Sequence, residues 1–195
     1  SKKLNILDAC CGIGYISYFL SQISTESKFL GIDQTDYLID EAQKLCKDKL
    51  NISFETSDIY NISKKYTKKF DISINWRTLS WLPYYDQMLK ELFSVTKDHI
   101  FLSSLFYDGD IDFITQIREF KTETGKKYFN DYNNVYSLPQ FKKYAYELGA
   151  KNIETFDFDI NIDIPKPPID QFTAYTEKLE DGNRLQISGV MLLPW

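Results

Sequence analysis

The sequence holds one histidine, His99, and three cysteines, Cys10, Cys11 and Cys46. No CxxC or Cys/His spacing is present, so neither a structural zinc site nor any other metal site is expected. The odd cysteine count argues against a disulfide scaffold, and reduced thiols in a cytoplasmic setting are the reading that follows. No apolar run approaches the ~18 residues of a membrane-spanning helix. The segment before Leu4 lacks the apolar core and cleavage site of a signal peptide. Internal repeats and low-complexity tracts are also missing. Basic residues are outnumbered, 23 Lys+Arg against 28 Asp+Glu, for a net charge of −5. That balance argues against nucleic acid, which is bound by displacing counterions with basic patches, and against an anionic membrane surface. What the chain does have is aromatic bulk: 14 Tyr and 14 Phe among 195 residues. That much aromatic surface requires burial, and the length suffices for one sizeable core.

The first hundred residues alternate short apolar runs with helical patterns. Residues 4–8, 28–33, 52–56, 70–75 and 99–106 read as strands. Between them, Ile13, Ile16, Leu20 and Ile23 recur at helical spacing. Thr35 is a candidate cap for a helix whose apolar face is Leu38, Ala42, Leu45 and Cys46. Tyr85, Met88, Leu89, Leu92 and Phe93 mark another amphipathic helix. Repeated strand–helix–strand units predict a parallel, doubly wound α/β sheet of Rossmann-like type, with ligands bound beyond the carboxyl ends of the strands. Asp8, Asp33, Asp58 and Asn75 then lie along one edge.

After residue 106 the pattern changes. Phe113, Ile114, Ile117 and Phe120 suggest a short helix, followed by a polar, Tyr-rich loop. Ser137 and Gln140 form a capping-box pattern before a helix carrying Phe141, Tyr144, Ala145 and Leu148, with Gly149 as its stop. Residues 152–164 read as extended and Pro165–Pro168 as a loop. Residues 173–179 and 184–193 read as antiparallel strands joined by a turn at Glu180-Asp181-Gly182-Asn183. The whole is read as a single domain over 1–195, with 107–136 as an insertion. Both ends are abrupt, and the natural chain is expected to extend beyond them.

The segment Leu7-Asp8-Ala9-Cys10-Cys11-Gly12-Ile13-Gly14 lies between a strand and a helix. Its glycines permit a tight turn and close backbone approach to a ligand, and the helix N-terminus beyond offers free N–H groups. The dinucleotide fingerprint GxGxxG fails, because its third position is Ser17. Asp8 suits a cationic amine better than a pyrophosphate. This segment resembles motif I of class I S-adenosylmethionine-dependent methyltransferases, and the order of elements over residues 4–106 follows that family. The resemblance implies a seven-stranded type of sheet that ends in antiparallel strands, with S-adenosylmethionine as cofactor. It implies that Asp8, Ala9, Cys10, Gly12 and Gly14 wrap the methionine part, that Asp33 binds the ribose hydroxyls, and that Asp58 and Ile59 hold the adenine. Gln34, beside Asp33, joins the cofactor residues, and Asn75 faces the amino-acid part. Cys10 stands where the family usually has a third glycine. Blander readings accompany each residue: a helix cap for Asp33, a turn residue for Asp58, packing for the glycines and for Cys10 and Cys11, and a structural place for His99.

The segment after the fourth strand, Asn75-Trp76-Arg77-Thr78-Leu79-Ser80-Trp81, lacks the Asn/Asp-Pro-Pro-Tyr of base-methylating enzymes and is similar to the small-molecule branch. Trp76, Arg77, Trp81 and Tyr107 are the candidate substrate residues. Arg77 suits a carboxylate or phosphate, or else makes a surface salt bridge. The insertion, with Tyr107, Tyr128, Phe129, Tyr132 and Tyr136, is either a lid over the site or a subdomain with its own core. Asp108, Asp110 or a tyrosine is a candidate base, with nothing to select among them. The expected function is methylation of a small molecule, with O-methylation of a sugar-like metabolite as its finest form. The alternatives are an NAD-dependent oxidoreductase, given the 19 residues from Gly14 to Asp33, and a non-catalytic methyltransferase-like module serving a protein partner.

Overall fold

The computed structural model describes residues 3–119, 129–156, 162–168, 175–180, 182 and 184–187. The chain divides into two compact units, residues 1–151 and 152–195. The first unit opens with β1 (Asn5–Ala9), α1 (Tyr15–Ile23), β2 (Lys28–Asp33), α2 (Asp36–Leu45), β3 (Ile52–Thr56), β4 (Phe70–Trp76), α3 (Asp86–Val95) and β5 (Thr96–Ser103). The five strands form one parallel sheet in the order β3-β2-β1-β4-β5. The order reverses between β1 and β4, and the crevice beyond their carboxyl ends is where such sheets take ligands.

Strand alternation explains the layers. Ile6, Phe29 and Ile74 bury one sheet face, and α1 lays Ile16 and Leu20 onto it. The next helix buries Ile39 and Ala42, with Leu45 more than a third exposed. α3 buries Met88, Leu89, Leu92 and Val95 and packs against β5 and a 3₁₀ turn at Ile59–Lys64. Two sequence expectations fail here. Ile23 is 70% exposed, because α1 turns Ser17 and Ser21 inward instead. Thr35 makes no side-chain cap; its backbone N–H donates to Asp33 Oδ1 at 3.0 Å in the turn that leads into the helix.

Beyond β5 the expected helix around Phe113 and Ile117 is absent. Phe113 instead bridges Val135, and β7 (Gln116–Glu119) pairs antiparallel with β8 (Phe129–Tyr132). β6 (Phe106–Tyr107) pairs with β9 (Tyr136–Ser137). The apolar spacing fits a helix, yet β-branched and aromatic residues also suit strands, and the partner strand decides. Phe120 and Tyr128 lie outside the described residues. The base of this insertion is anchored by the buried Asn134, which donates from its N–H to the Ser80 carbonyl and from its amide to the Leu82 carbonyl. Tyr136 is fully buried among Tyr85 and Phe106 and is core.

α4 (Leu138–Glu147) begins as its sequence predicts, with the Ser137 hydroxyl accepting from Gln140 N–H at 3.2 Å. It ends at Gly149, at φ +105°. In the second unit β10 (Tyr175–Lys178) pairs antiparallel with β11 (Arg184–Ile187). The antiparallel strands are thus seen in part, and residues 173–174 and 188–193 of the expected strands, with Asp181 and Asn183 of the turn, lie outside the described residues. Residues 152–156, expected to be extended, belong to no strand, and 157–161 lie outside the described residues.

Gly14 and Gly12 both have positive φ, +79° and +53°, but their surroundings differ. A Cβ on Gly14 would lie 2.6 Å from the Phe54 ring, whereas one on Gly12 would meet nothing within 4 Å. Gly12→Ala is therefore expected to cost only the left-handed strain, about 1–2 kcal/mol, and Gly14→Ala a further ~1–3 kcal/mol of overpacking. Urea unfolding of the two variants checks the difference; equal losses would contradict it.

Candidate functional site

The carboxyl edge of the sheet brings together most of the residues singled out in the sequence. Asp33 ends β2, and its Oδ2 accepts from Gly12 N–H at 3.0 Å. The turn after β1 is thereby pinned to the neighbouring strand, reinforced by Cys11 N–H to the Ile32 carbonyl at 2.9 Å. Asn75, fully buried at the end of β4, donates from Nδ2 to the Ala9 carbonyl at 2.9 Å. Its Oδ1 is buried with no hydrogen-bond partner. The Cys10 thiol interacts with the Asn75 side chain, short of hydrogen-bond geometry. A buried acceptor left open costs roughly 1–3 kcal/mol.

Cys10 is itself unusual, a non-glycine residue at φ +60°. Left-handed backbone is disfavoured for a residue with a Cβ, and such strain clusters at functional sites. With Asp33, Gln34, Ser57, Ile59, Tyr60, Thr78 and Leu82, Cys10 lines a cleft of about 80 Å³. Burial pushes the Cys10 thiol up to about 12, helped by the negative charges of Asp33, Asp8 and Asp58. Burial likewise pushes up Cys11 and Tyr60. These groups hold their protons at neutral pH. Three carboxylates gathered around one turn make an edge that favours a cation.

The other sequence candidates are placed as follows. Asp8 is buried and its Oδ2 accepts from Ser17 N–H at 3.2 Å and Ser17 Oγ–H at 2.8 Å. It thus braces the start of α1. Asp58 caps the 3₁₀ turn, accepting from Tyr60 N–H at 2.9 Å and from the Asn61 amide at 2.6 Å. Ile59 is buried beside it and presents an apolar wall to the cleft. Trp76 and Trp81 are about half exposed, at 50% and 46%. Arg77 is exposed and sits at φ +60°, its N–H donating to the Ser103 carbonyl at 3.1 Å. Tyr107 folds back on its own loop: its hydroxyl contacts both the carbonyl and the N–H of Ile111, and its ring lies against Gly109. His99 stacks on Phe101 along β5, away from the strand ends.

Four cleft residues were not anticipated: Ser57, Tyr60, Thr78 and Leu82. Each follows directly after a predicted strand end or a predicted site residue, which is the signal available in the sequence. Ser17, noted only as breaking the dinucleotide fingerprint, supplies the hydroxyl that satisfies Asp8. Among the described residues no cluster of three or more His, Cys, Asp or Glu side chains is placed to hold a metal, and no helix is long and apolar enough to cross a membrane.

Comparison with known proteins identifies the family and the fold. A family model described as a methyltransferase domain matches residues 1–152. The malonyl-[acyl-carrier protein] O-methyltransferase of Bacillus cereus is 31% identical over 107 residues, covering 54% of this chain and 39% of the relative. Malonyl-[acyl-carrier protein] O-methyltransferase 1 of Ilyobacter polytropus is 28% identical over 144 residues, covering 74% and 47%. The chain thus spans less than half the length of these two relatives. Among solved structures, a chain from the complex of the Haloferax volcanii Trm112 methyltransferase activator with a methyltransferase superposes with a TM-score of 0.63 at 15% identity, covering 85% and 70%. That likeness is one of fold.

Burial pushes Asp8 from its ordinary 3.8 up to about 6, against the opposing hydrogen bonds from Ser17. The folded state therefore binds a proton that the unfolded state releases between about pH 4 and pH 6. Stability attributable to Asp8 is highest below that window and falls as pH rises through it, by up to about 3 kcal/mol. Asp8→Asn is expected to lack this slope in urea midpoints taken from pH 4 to 8, and an unchanged slope would overturn the assignment.

Proposed function

Because this chain belongs to the methyltransferase domain family, we propose that it transfers a methyl group from S-adenosylmethionine to an oxygen of a small acceptor. One observation carries the reading: a turn with left-handed residues at Cys10, Gly12 and Gly14, pinned by Asp33 on one side and by the Asn75 amide on the other, at the switch point of a parallel sheet. The residues present fit the cofactor. The acidic surroundings of Cys10 suit its positive charges. The unpartnered Asn75 Oδ1 lies beside the turn, and Gly12 leaves room for close approach of its methionine part. Asp33 retains lone pairs for two ribose hydroxyls. Ile59 offers an apolar wall to the adenine, with Asp58, Gln34 and Ser57 at its rim.

Bound there, the cofactor supplies an electrophilic methyl on a sulfonium, with a neutral thioether as leaving group. The protein's share is positioning and exclusion of water. Ala9, Cys10 and Gly12 would hold the methionine part, and Trp76 and Trp81 offer flat apolar surface on which an acceptor can rest. An oxygen acceptor is supported by the names of the two bacterial relatives. A sugar-like or acyl metabolite suits the flat faces of the half-exposed tryptophans.

Calorimetric titration tests this. S-adenosylmethionine and S-adenosylhomocysteine are expected to bind in the micromolar range, and NAD not at all. Asp33→Ala is expected to weaken both about 10–100-fold, the loss of one or two hydrogen bonds to a charged acceptor. Its fold should survive, with about 1 kcal/mol lost from the Gly12 N–H bond. Unchanged affinity in the folded variant would remove Asp33 from the site, and NAD binding alone would overturn the reading.

A further inference from the structure

On α4, Gln140, Lys143, Tyr144 and Glu147 recur at the spacing that puts side chains on one helix face. With Tyr85 and Asp86 at the start of α3, they line a cleft of about 240 Å³, against about 80 Å³ for the cleft at the glycine turn. No residue is common to the two clefts. They adjoin through the segment 82–85: Leu82 lines one and Tyr85 the other, and the Tyr60 hydroxyl donates to the Tyr84 carbonyl at 3.4 Å. Two rings form the aromatic wall of the larger cleft. Tyr85 and Tyr144 meet at 6.1 Å between centroids, and Tyr85 is held further by Tyr136 at 5.0 Å and Phe141 at 5.1 Å. The Tyr144 hydroxyl donates to the Asp86 carbonyl at 3.3 Å. Rings fixed in advance lower the ordering cost of binding.

The charged groups of this cleft do not satisfy one another. Among the described residues the side chains of Asp86, Lys143 and Glu147 form no ion pair. Lys143 and Glu147 stand one turn apart, but Lys before Glu is the weaker order for a pair along a helix. The local field is negative. Two carboxylates line the cleft against one ammonium. Burial pushes the Tyr85 phenol up to about 12, and the negative charges of Asp112 and Asp86 push the same way. A neutral phenol ring in a negative field presents its face to cations.

From this geometry we propose that the cleft between α4 and the start of α3 is a second binding site, and that its ligand is a small organic cation, an ammonium on a short tail carried by one flat ring. The ring lies against Tyr85 and Tyr144, and the ammonium meets the carboxylates of Asp86 and Glu147. The volume is below the ~300–1,000 Å³ of pockets that enclose drug-sized ligands, which sets the size at one ring. The site goes beyond the methyltransferase reading and uses none of the residues on which that reading rests.

The test is a titration of the full chain with 2-phenylethylammonium, 2-phenylethanol and phenylacetate, three probes of one shape, followed by backbone amide NMR shifts. The ammonium is expected to shift the amides of Tyr85, Asp86 and residues 140–147. It should bind at least about fivefold more tightly than the alcohol, with the acid weakest. Glu147→Gln should reduce that preference about two- to fivefold and Lys143→Gln should raise it. Both side chains are exposed, so the fold is retained. Tyr144→Phe should keep the binding, because the ring remains, and Tyr144→Leu should lose it. No shift at these amides, equal binding of the three probes, or a preference unmoved by both charge variants would overturn the proposal. Shifts centred on Cys10, Asp33 and Ser57 would overturn the location. Tightest binding of phenylacetate would overturn the cation assignment in favour of an anion held by Lys143. S-adenosylmethionine and its product take no part in the titration, so the outcome is separate from that of the methyltransferase reading.

Discussion

The carboxylate of Asp33 is the constraint on which the rest of the edge depends. One oxygen accepts from Gly12 N–H and the other from Thr35 N–H, each at 3.0 Å. The turn after β1 and the start of α2 are thus held by one side chain at the end of the strand between them. On the other flank, the Asn75 amide fastens Ala9 to β4. A turn with positive φ at Cys10, Gly12 and Gly14 has little conformational preference for its own shape. It persists because both neighbouring strands grip it, and those grips leave the cleft-facing groups fixed before any ligand arrives. Preorganisation of this kind lowers the ordering cost of binding.

The electrostatic layout follows from the same arrangement. Parallel strands deliver their last residues to one edge, and in this chain β1 and β2 deliver acids near or at their ends, with a third acid two residues past β3. Burial then sorts those acids into different tasks. Asp8, enclosed and satisfied by Ser17, braces a helix; Asp33, half-buried, ties the turn while keeping lone pairs toward the cleft; Asp58, exposed, caps a 3₁₀ turn. β4 delivers an amide and then Trp76, and Arg77 just beyond it breaks the run of negative charge.

The strands of the central sheet and the glycine turn were legible because hydrophobic period and turn chemistry are local properties. The Ser137 cap and the Gly149 stop were legible for the same reason. The insertion was not. The spacing of Phe113, Ile114 and Ile117 fits a helix while their residue types also suit a strand, and pairing with Val135 and the 129–132 strand makes it β structure. Tyr107 and Tyr136 illustrate the same limit. Both are aromatic and lie close to the site in sequence, yet one hydrogen-bonds its own loop and the other fills the core.

The sequence by itself determined the parallel α/β architecture, the edge on which chemistry can occur and the residue types that reach it, because periodicity and strand-end position are written along the chain. The tertiary structure alone decided what those residues do. It set Asp33 against Gly12, closed Ser17 over Asp8, left Asn75 Oδ1 without a partner and bent Cys10 and Arg77 into left-handed backbone. Each of those outcomes depends on contacts between segments far apart in the chain, where the cost of burying an unpaired polar group or straining a backbone angle is settled by neighbours that no local pattern specifies.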